Sequence, residues 1–221
     1  AIPPVAPPYD IISEQQREAI AANPFNIINI DKPGSAEDSS KYERAAKLLE
    51  EWKKTGVLIT DDSPALYVYE EEYSIPERLA QQRFVRTGFF AVVKLEDFSN
   101  GVILPHERTL AAPKVDRMNL MKATKGNISP VFGLYHDTTN KLTATIKKVK
   151  DATTVYNVYQ DTDGTVHRLW KLTDQRTIEF IGRALTSERI MIADGHHRYE
   201  TALSYRDHVR TGLKQKQSAV D

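Results

Sequence analysis

Residues 190–205, IMIADGHHRYETALSY, decide how the chain is organised. The first four residues form a short apolar run of the kind found in strands. From Tyr199 onward, apolar and aromatic residues recur at helical spacing, so the pattern predicts a helix that begins near His197. The stretch therefore predicts a strand, a tight turn and a helix, with the polar residues gathered in the turn.

The predicted turn combines several groups that bind anions. Gly195 can adopt a positive φ or let a ligand approach the backbone, and a helix N-terminus offers unpaired N–H groups at the positive end of its dipole. Arg198 has a planar fork suited to phosphate or carboxylate, while His196 and His197 can donate, accept or transfer protons. We expect an open cradle for a phosphate, with Arg198 directed into it.

Two other interpretations of the turn stay open. In the first, Asp194 caps the helix, one histidine is buried and hydrogen-bonded, and Arg198 lies on the surface. In the second, His196 and His197 ligate a metal. Adjacent histidines diverge on a helix, and the chain has no cysteine and no HxxxH or HExxH spacing, so we assign no metal ligand.

The composition is that of an ordinary globular protein. Among 221 residues, 30 basic side chains balance 30 acidic ones, which argues against a strongly electrostatic nucleic-acid binder. The absence of cysteine excludes disulfides and thiolate catalysis. No apolar run reaches the roughly twenty residues of a membrane helix. With no signal peptide visible, we expect a cytoplasmic protein without a membrane partner.

The hydrophobic pattern predicts an α+β fold with mixed sheets and flanking helices. A capping box of Ser13 and Gln16 precedes the first helix, and Gly56 suits the end of a strong amphipathic helix. We predict helices at residues 14–22, 42–55, 118–125 and 175–185, and strands at residues 25–30, 57–59, 65–73, 82–95, 101–105, 131–135, 155–160 and 166–172. Residues 141–150 are too mixed to assign.

The length allows one α+β domain or two tightly packed lobes. In the second case we expect a helical entry over residues 1–60 and a sheet-rich part over residues 61–221 that carries the Asp194–Arg198 turn. The chain lacks an initiator methionine and ends soon after that turn. We therefore expect it to be a fragment of a longer protein.

Glu107 is the candidate general base. It follows a proline that ends a predicted strand and lies among several cations, an arrangement suited to accepting a proton from a hydroxyl. Asp194 and His196 are further candidates for proton transfer. The plainer alternative is that Glu107 forms a surface ion pair with Lys114 or a neighbouring arginine, which contributes little.

A second set of polar residues, near predicted element ends, could bind the substrate, since such loops present functional groups. Cations among them could hold an anionic group of the acceptor. A rigid proline-rich entry ending in Asp10 can form a site wall or simply cap the next helix. The candidate substrate-binding residues are Asp10, His106, Lys114, Arg117, Asn127 and Ser129.

Six motifs together resemble one bacterial and archaeal family of unknown function, sometimes labelled SpoOJ/ParA/ParB/RepB-like. They are PPYD at 7–10, LPHERTL at 104–110, PKVDR at 113–117, NISPVFGLY at 127–135, HRLW at 167–170 and ADGHHRYETAL at 193–203. The resemblance covers practically the whole chain with the motifs in the family's order. Members of that family are longer at both ends. The resemblance therefore implies that this chain is an N-terminal portion of a longer protein.

The turn itself resembles the signature of the ParB/sulfiredoxin-like fold, in which a strand-turn-helix binds nucleotide phosphates. That superfamily includes CTP-binding ParB clamps, sulfiredoxins and free-serine kinases that use ADP or ATP. The serine-kinase sequence Asp-Gly-His-His-Arg is matched here from Asp194 to Arg198. Sulfiredoxin's catalytic cysteine is absent, so its chemistry is excluded.

The residues and the two resemblances together predict a nucleotide-dependent phosphotransferase with a small-molecule hydroxyl acceptor, serine-like according to the serine-kinase resemblance, or a nucleotide hydrolase. ATP, ADP or CTP would lie on Gly195 and the helix N-terminus, held by His196, His197 and Arg198, with Mg²⁺ offsetting charge. The alternative is a non-catalytic CTP- or ATP-binding regulatory module that changes its homodimer state. A DNA-associated partitioning protein is a third interpretation.

Overall fold

The computed structural model describes residues 4–35, 37–75, 82–107, 109, 111–161 and 163–218. Over these residues the chain is a mixed α+β protein with two sheets. In chain order the elements are α1 Glu14–Ala21, α2 Ile28–Asp31, α3 Lys41–Thr55, β1 Leu66–Ser74, β2 Arg83–Phe90, β3 Ile103–Leu104, α4 Ala111–Thr124, β4 Phe132–Leu134, α5 Lys141–Ala152, β5 Asn157–Gln160, β6 Val166–Leu172, α6 Gln175–Leu185, β7 Ile190–Asp194 and α7 His196–Ser218.

The elements divide into two compact units, each built from separate stretches of sequence. The first unit contains residues 1–60, 95–134 and 190–221, and the second contains residues 61–94 and 135–189. The predicted division at residue 60 is therefore corrected, because the Asp194–Arg198 turn belongs to the unit that holds residues 1–60. Non-local strand pairing causes the difference, since β7 pairs with β3 and β4 rather than with its sequence neighbours.

The first unit contains the three-stranded sheet with β7 at its centre. β7 runs parallel to β3 and antiparallel to β4. Ile103 of β3, Ile192 of β7 and Tyr199 of α7 form its buried cluster. The Tyr199 hydroxyl also donates to the Glu96 carbonyl at 2.8 Å and accepts from the Glu96 amide at 3.0 Å. Tyr199 thus anchors the start of α7 both to the sheet and to the segment before β3.

A second core of the first unit lies among its helices. Trp52, Leu49 and Ala45 of α3 pack against Leu120 of α4 and Ile30 of α2. These α3 residues recur at spacings of three and four, which places them on one face of the helix. This packing fixes the position of α4. The α4 side chains of Lys114 and Arg117 are thereby held near their partners Glu200 and Asp31.

The second unit is a four-stranded antiparallel sheet in the order β2-β1-β6-β5. Val68 of β1 and Trp170 of β6 are paired in register and are both buried. Helices α5 and α6 contribute apolar residues to the same core, which contains Val68, Leu142, Ile146, Val149, Trp170, Leu172 and Ile181. Because side chains alternate along a strand, β1 and β6 each direct one face toward this core, through Val68 in β1 and through Trp170 and Leu172 in β6.

Most of the predicted elements are confirmed within one or a few residues. The capping box is present, with Ser13 accepting from the Gln16 amide and Gln16 accepting from the Ser13 amide. Gly56 ends α3 in the left-handed conformation at φ 75°. Asp174 caps α6 by accepting from the Thr177 amide at 2.9 Å. The predicted strands on either side of residues 74–82 and 161–165 pair as antiparallel hairpins, β1 with β2 and β5 with β6.

Several element predictions were wrong. The apolar run at residues 25–30 forms a turn and α2 rather than a strand, because the Asn26 side chain accepts from the Ile28 amide at 2.9 Å and starts the helix. A short apolar run suits either structure. Residues 57–59 form no strand. Helix α4 begins seven residues before the predicted start at Met118, and the unassigned segment at 141 begins α5.

In the described part of the chain, no helix combines the length and apolar character needed to cross a membrane.

Two strand glycines allow a test of how tightly the β4 to β7 contact is packed. A Cβ at Gly133 of β4 would lie 2.6 Å from the Ile190 Cγ2, whereas a Cβ at Gly88 of β2 would meet nothing within 4 Å. Gly133→Ala should lower the free energy of unfolding by about 1–3 kcal/mol through overpacking. Gly88→Ala should change it by less than about 0.5 kcal/mol. Urea denaturation of both variants measures the difference, and equal stabilities would contradict the packing.

Candidate functional site

The turn between β7 and α7 requires a glycine for two reasons. Gly195 has φ 91°, a conformation that residues with a side chain rarely adopt. A Cβ there would lie 3.1 Å from Cζ and Nε of Arg198 and 3.4 Å from the Cα of Val131. The Tyr199 amide then donates to the Gly195 carbonyl at 2.9 Å and closes the first turn of α7. The side chain of Arg198 is thus folded back against the turn.

Arg198 is held inside the protein rather than presented to solvent. It is 6% exposed, and its guanidinium donates to the Asp194 carboxylate and to the Pro130 carbonyl. The Asp10 carboxylate lies 3.8 Å from its Nη2. The expectation of an open cradle is therefore corrected, because Gly195 and His196 are buried and the anion nearest Arg198 is the protein's own Asp194.

His196, the first residue of α7, is a buried neutral histidine. It is 2% exposed, and burial lowers its pKa despite the nearby charge of Glu107. Its Nε2 accepts a hydrogen bond of 3.2 Å from the backbone amide of His106. Because an amide N–H only donates, this Nε2 carries no proton. The proton of the neutral ring is therefore on Nδ1.

The protonated Nδ1 of His196 faces the candidate base. It lies 3.1 Å from Oε1 of Glu107, whose side chain is 53% exposed. The buried imidazole thus contacts one carboxylate oxygen, and the carboxylate remains open to solvent. A buried neighbour with a fixed orientation of its own restricts where such a carboxylate can lie. The structure brings together Glu107 and His196, which are 89 positions apart in the sequence and were predicted separately as proton-transfer residues.

His106 completes this cluster and is also oriented by the backbone. Its Nδ1 lies 2.7 Å from the carbonyl of Ile192 in β7, and because a carbonyl only accepts, the proton is on Nδ1. Its ring meets the His196 ring edge to face, with centroids 4.4 Å apart and planes at 88°. The backbone bond thus fixes the orientation of the His106 ring against His196.

His106, Glu107 and His196 also have the composition of a metal site. One potential ligand atom from each lies within 4.8 Å of the others, the one such trio among the residues that the structure describes. To ligate a metal through Nδ1, His196 would have to lose the proton on that nitrogen. A neutral ring would then carry its proton on Nε2, where it would face the His106 amide, which is also a donor. The observed bonds favour an acid–base cluster. His197, the other predicted histidine, occupies the second position of α7 outside the trio.

Arg117 of α4 is buried in a network of carboxylates. It is 7% exposed and donates to the Asp31 carbonyl at 2.7 Å, to the Asp31 carboxylate at 3.1 Å and to the Asp116 carboxylate at 2.5 and 3.0 Å. Its guanidinium also lies over the ring of Tyr9, 4.0 Å from the centroid. Burial alone would raise the pKa of Asp116, but hydrogen bonds from Lys41 and Arg117 hold it at about 2.

A small cleft brings several predicted substrate-binding residues together. Its lining includes Arg117, Asn127 and Ser129, which were predicted from sequence, together with Arg198. Its volume of about 20 Å³ holds roughly one water molecule. The full lining is Tyr9, Asp31, Arg117, Leu120, Met121, Gly126, Asn127, Ile128, Ser129, Arg198 and Thr201.

Sequence reasoning missed three polar residues of this cleft. Asp31 accepts from the Ser129 hydroxyl at 2.5 Å as well as from Arg117, yet it follows a run that was assigned to a strand. Tyr9 stacks under the same arginine. Thr201 is 1% exposed, and its hydroxyl has no hydrogen-bond partner in the described part of the chain. Its position in α7, close after the glycine turn, was the only available signal.

Asp10, His106 and Lys114 lie at different points around the turn. Asp10 is near Arg198, His106 contacts His196, and Lys114 donates to Glu200 of α7 at 2.8 Å. The predicted set therefore splits into an acid–base cluster, a cation beside Glu200 and a buried arginine cleft, all within the first unit.

The chain belongs to the family described as "Protein of unknown function (DUF1015)", whose model matches residues 4–220. Comparison with curated proteins gave no match, and comparison with solved structures gave none either.

Removing the charge of Arg117 tests whether its network is structural. Arg117→Met leaves the Asp31 and Asp116 carboxylates without their buried cation, which should lower the free energy of unfolding by about 3–5 kcal/mol. Lys147→Met is the matched control, since Lys147 pairs with Asp151 on an exposed helix face at 2.6 Å. It should change stability by less than about 0.5 kcal/mol. A small loss for Arg117→Met in urea denaturation would show that the network contributes little.

Acidification tests the neutral state of His196. Because its pKa in the folded protein is below the unfolded value of about 6.5, protons bind the unfolded chain first. The stability contributed by neutral His196 is present above that value and is lost as the pH falls toward the folded pKa. His196→Asn keeps a donor near the Nδ1 position but cannot titrate. Urea denaturation should show a steeper loss for the wild type than for this variant below about pH 6.5, and parallel curves would contradict it.

Proposed function

We propose that this chain is a nucleotide-dependent phosphotransferase in which Glu107 is the general base. The observation that supports this proposal is the contact between buried, neutral His196 and exposed Glu107, whose Nδ1 and Oε1 lie 3.1 Å apart at the N-terminus of the 23-residue helix α7. A neutral donor orients the carboxylate without adding a competing cation. A solvent-accessible carboxylate beside a helix N-terminus suits proton transfer from a hydroxyl that attacks a phosphate.

The phosphates would bind at the start of α7. The first N–H groups of any helix lack intrahelical acceptors, and the dipole favours an anion there. Gly195 is buried with the Arg198 side chain packed against it, so Arg198 would have to move before a phosphate could reach this backbone. The local resemblance to the ParB/sulfiredoxin-like fold assigns the same role to this turn. His197 and Arg198 stay proposed phosphate ligands, and Arg198 would have to exchange the Asp194 carboxylate for a phosphate oxygen.

The proposed reaction transfers the terminal phosphoryl group of ATP, ADP or CTP. The acceptor oxygen attacks phosphorus as the bond to the bridging oxygen breaks, and the shortened nucleotide leaves. Glu107 takes the proton of the attacking hydroxyl. His196 keeps its own proton on Nδ1 throughout and holds the carboxylate. With water as the acceptor, the same steps give nucleotide hydrolysis.

The acceptor would be a small hydroxyl compound, serine-like according to the resemblance. Asn127 and Ser129 line the arginine cleft, which at about 20 Å³ would have to widen to admit the acceptor, with Asp10 and His106 on other sides of the turn. Arg117 already forms two carboxylate contacts, so it would shape this site rather than supply a free cation. A reaction between free nucleotide and a small metabolite suits the cytoplasm.

The charge of the nucleotide phosphates also calls for Mg²⁺, but the described side chains do not form a magnesium site of their own. Glu107 is the one carboxylate in the His106, Glu107 and His196 trio, whereas Mg²⁺ prefers oxygen ligands in octahedral geometry. Asp194 is already bound by Arg198. A magnesium ion would therefore arrive with the nucleotide phosphates, and no step above depends on it.

A non-catalytic nucleotide-binding module is the second candidate, favoured by the contact between Arg198 and Asp194. An incoming phosphate would displace Asp194, and this exchange could change the conformation or a homodimer contact without chemistry. Asp194→Asn would remove the competing charge. Under this second candidate, the variant binds nucleotide more tightly than the wild type and neither protein turns nucleotide over.

Glu107→Gln separates the two candidates. The amide keeps the size of the side chain but cannot accept the proton, so turnover should fall by about 10²–10⁴-fold. Binding should persist, because the phosphates are held elsewhere. Wild type and variant are compared by phosphoryl-transfer assay, and by the rise in melting temperature with ATP, ADP or CTP, each with and without Mg²⁺.

Glu179→Gln, at an exposed position of α6, controls for the loss of a surface carboxylate. It should keep both turnover and the melting-temperature rise. If Glu107→Gln is as active as this control, Glu107 is not the base. If no nucleotide raises the melting temperature of the wild type, both candidates fail.

A further inference from the structure

Glu200 lies on the same face of α7 as His196. The two residues are four positions apart, which places them one above the other along the helix. Helical side chains lean toward the N-terminus of their helix, so Glu200 leans toward His196 and the turn. Its side chain is 24% exposed, which leaves it partly shielded from solvent.

One carboxylate oxygen of Glu200 accepts hydrogen bonds from two side chains that lie outside α7. Oε2 accepts from Nζ of Lys114 at 2.8 Å and from the hydroxyl of Thr109 at 2.7 Å. Burial would raise the pKa of Glu200, but these two hydrogen bonds outweigh it and keep the pKa below its usual range. Glu200 is therefore charged at neutral pH, and both bonds are charge-assisted.

Both partners of Glu200 lie close in sequence to the candidate base. Thr109 is two residues after Glu107, in the connection between β3 and α4, and Lys114 lies in the first turns of α4. The hydrogen bond from Thr109 to Glu200 links this connection to α7 two residues after Glu107. The bond to Lys114 places an ammonium on the α7 face that also carries His196.

We propose that Glu200 is a positioning residue that holds Lys114 beside the acid–base pair of Glu107 and His196. Held there, the ammonium faces the negative charge that phosphoryl transfer places at the N-terminus of α7. Glu200 does not touch the reacting atoms and acts through Lys114 and Thr109. This inference rests on the proposed phosphotransferase function.

The test is a double-mutant cycle on kcat and KM. Glu200→Gln keeps the shape but loses the charge that orients Lys114, and it should lower kcat by about 10-fold or more because misplaced groups lose transition-state contact. Lys114→Ala should lower kcat at least as much. The double variant should be no slower than Lys114→Ala alone, since the two residues act as one unit.

Asp207→Asn is the matched control, because it removes an exposed carboxylate from the same helix. It should leave kcat unchanged. A merely structural role for Glu200 would lower the melting temperature without changing kcat of the folded fraction. Wild-type kcat in Glu200→Gln, or losses that add in the double variant, would overturn the proposal.

A second readout does not depend on turnover. The rate at which an acylating reagent labels Lys114, followed by mass spectrometry, should rise at least about threefold in Glu200→Gln, because the ammonium loses a charged partner. Exposed Lys122 of α4 is the internal reference and should be labelled at an unchanged rate. An inactive wild type with faster Lys114 labelling in the variant would reject the proposed function but retain the contact. An unchanged Lys114 rate would reject the role of Glu200.

Discussion

The hydrogen bond from the His106 amide to Nε2 of His196 is the interaction on which the site depends. It crosses from the loop after β3 to the first residue of α7 and is 3.2 Å long. Because the amide is an obligate donor, it decides which ring nitrogen of the neutral histidine carries the proton. Nδ1, which carries that proton, lies 3.1 Å from Oε1 of Glu107. A backbone position thus determines which ring nitrogen faces the Glu107 carboxylate.

The same region shows how the protein accommodates buried charge. Arg117 and Arg198 are each more than nine-tenths buried, and each is bound by a carboxylate and a backbone carbonyl. Charges buried without such partners would cost several kcal/mol. The pairing makes both arginines part of the fold around the turn, so a ligand that uses either must offer an equivalent anion. This requirement selects for phosphate or carboxylate and against neutral ligands.

Local sequence signals predicted the local structure well. The Ser13 capping box, Gly56 and Asp174 each mark a helix end through one hydrogen bond or one backbone conformation, and neighbouring residues supply it. The strand-turn-helix around Gly195 was predicted on the same basis. The division into units was not, because the pairing of β7 with β3 and β4 joins segments more than fifty residues apart. The burial of Arg198 escaped prediction for a similar reason, since its partner Pro130 is distant in sequence.

The protonation of His196 tests the account most directly. Long-range ¹H–¹⁵N correlation spectra of the folded protein at neutral pH distinguish a protonated from an unprotonated ring nitrogen. We expect a neutral ring with the proton on Nδ1 and none on Nε2. In a Glu107→Ala variant, the Nδ1 resonance should shift. A proton on Nε2, or a doubly protonated ring at neutral pH, would contradict it.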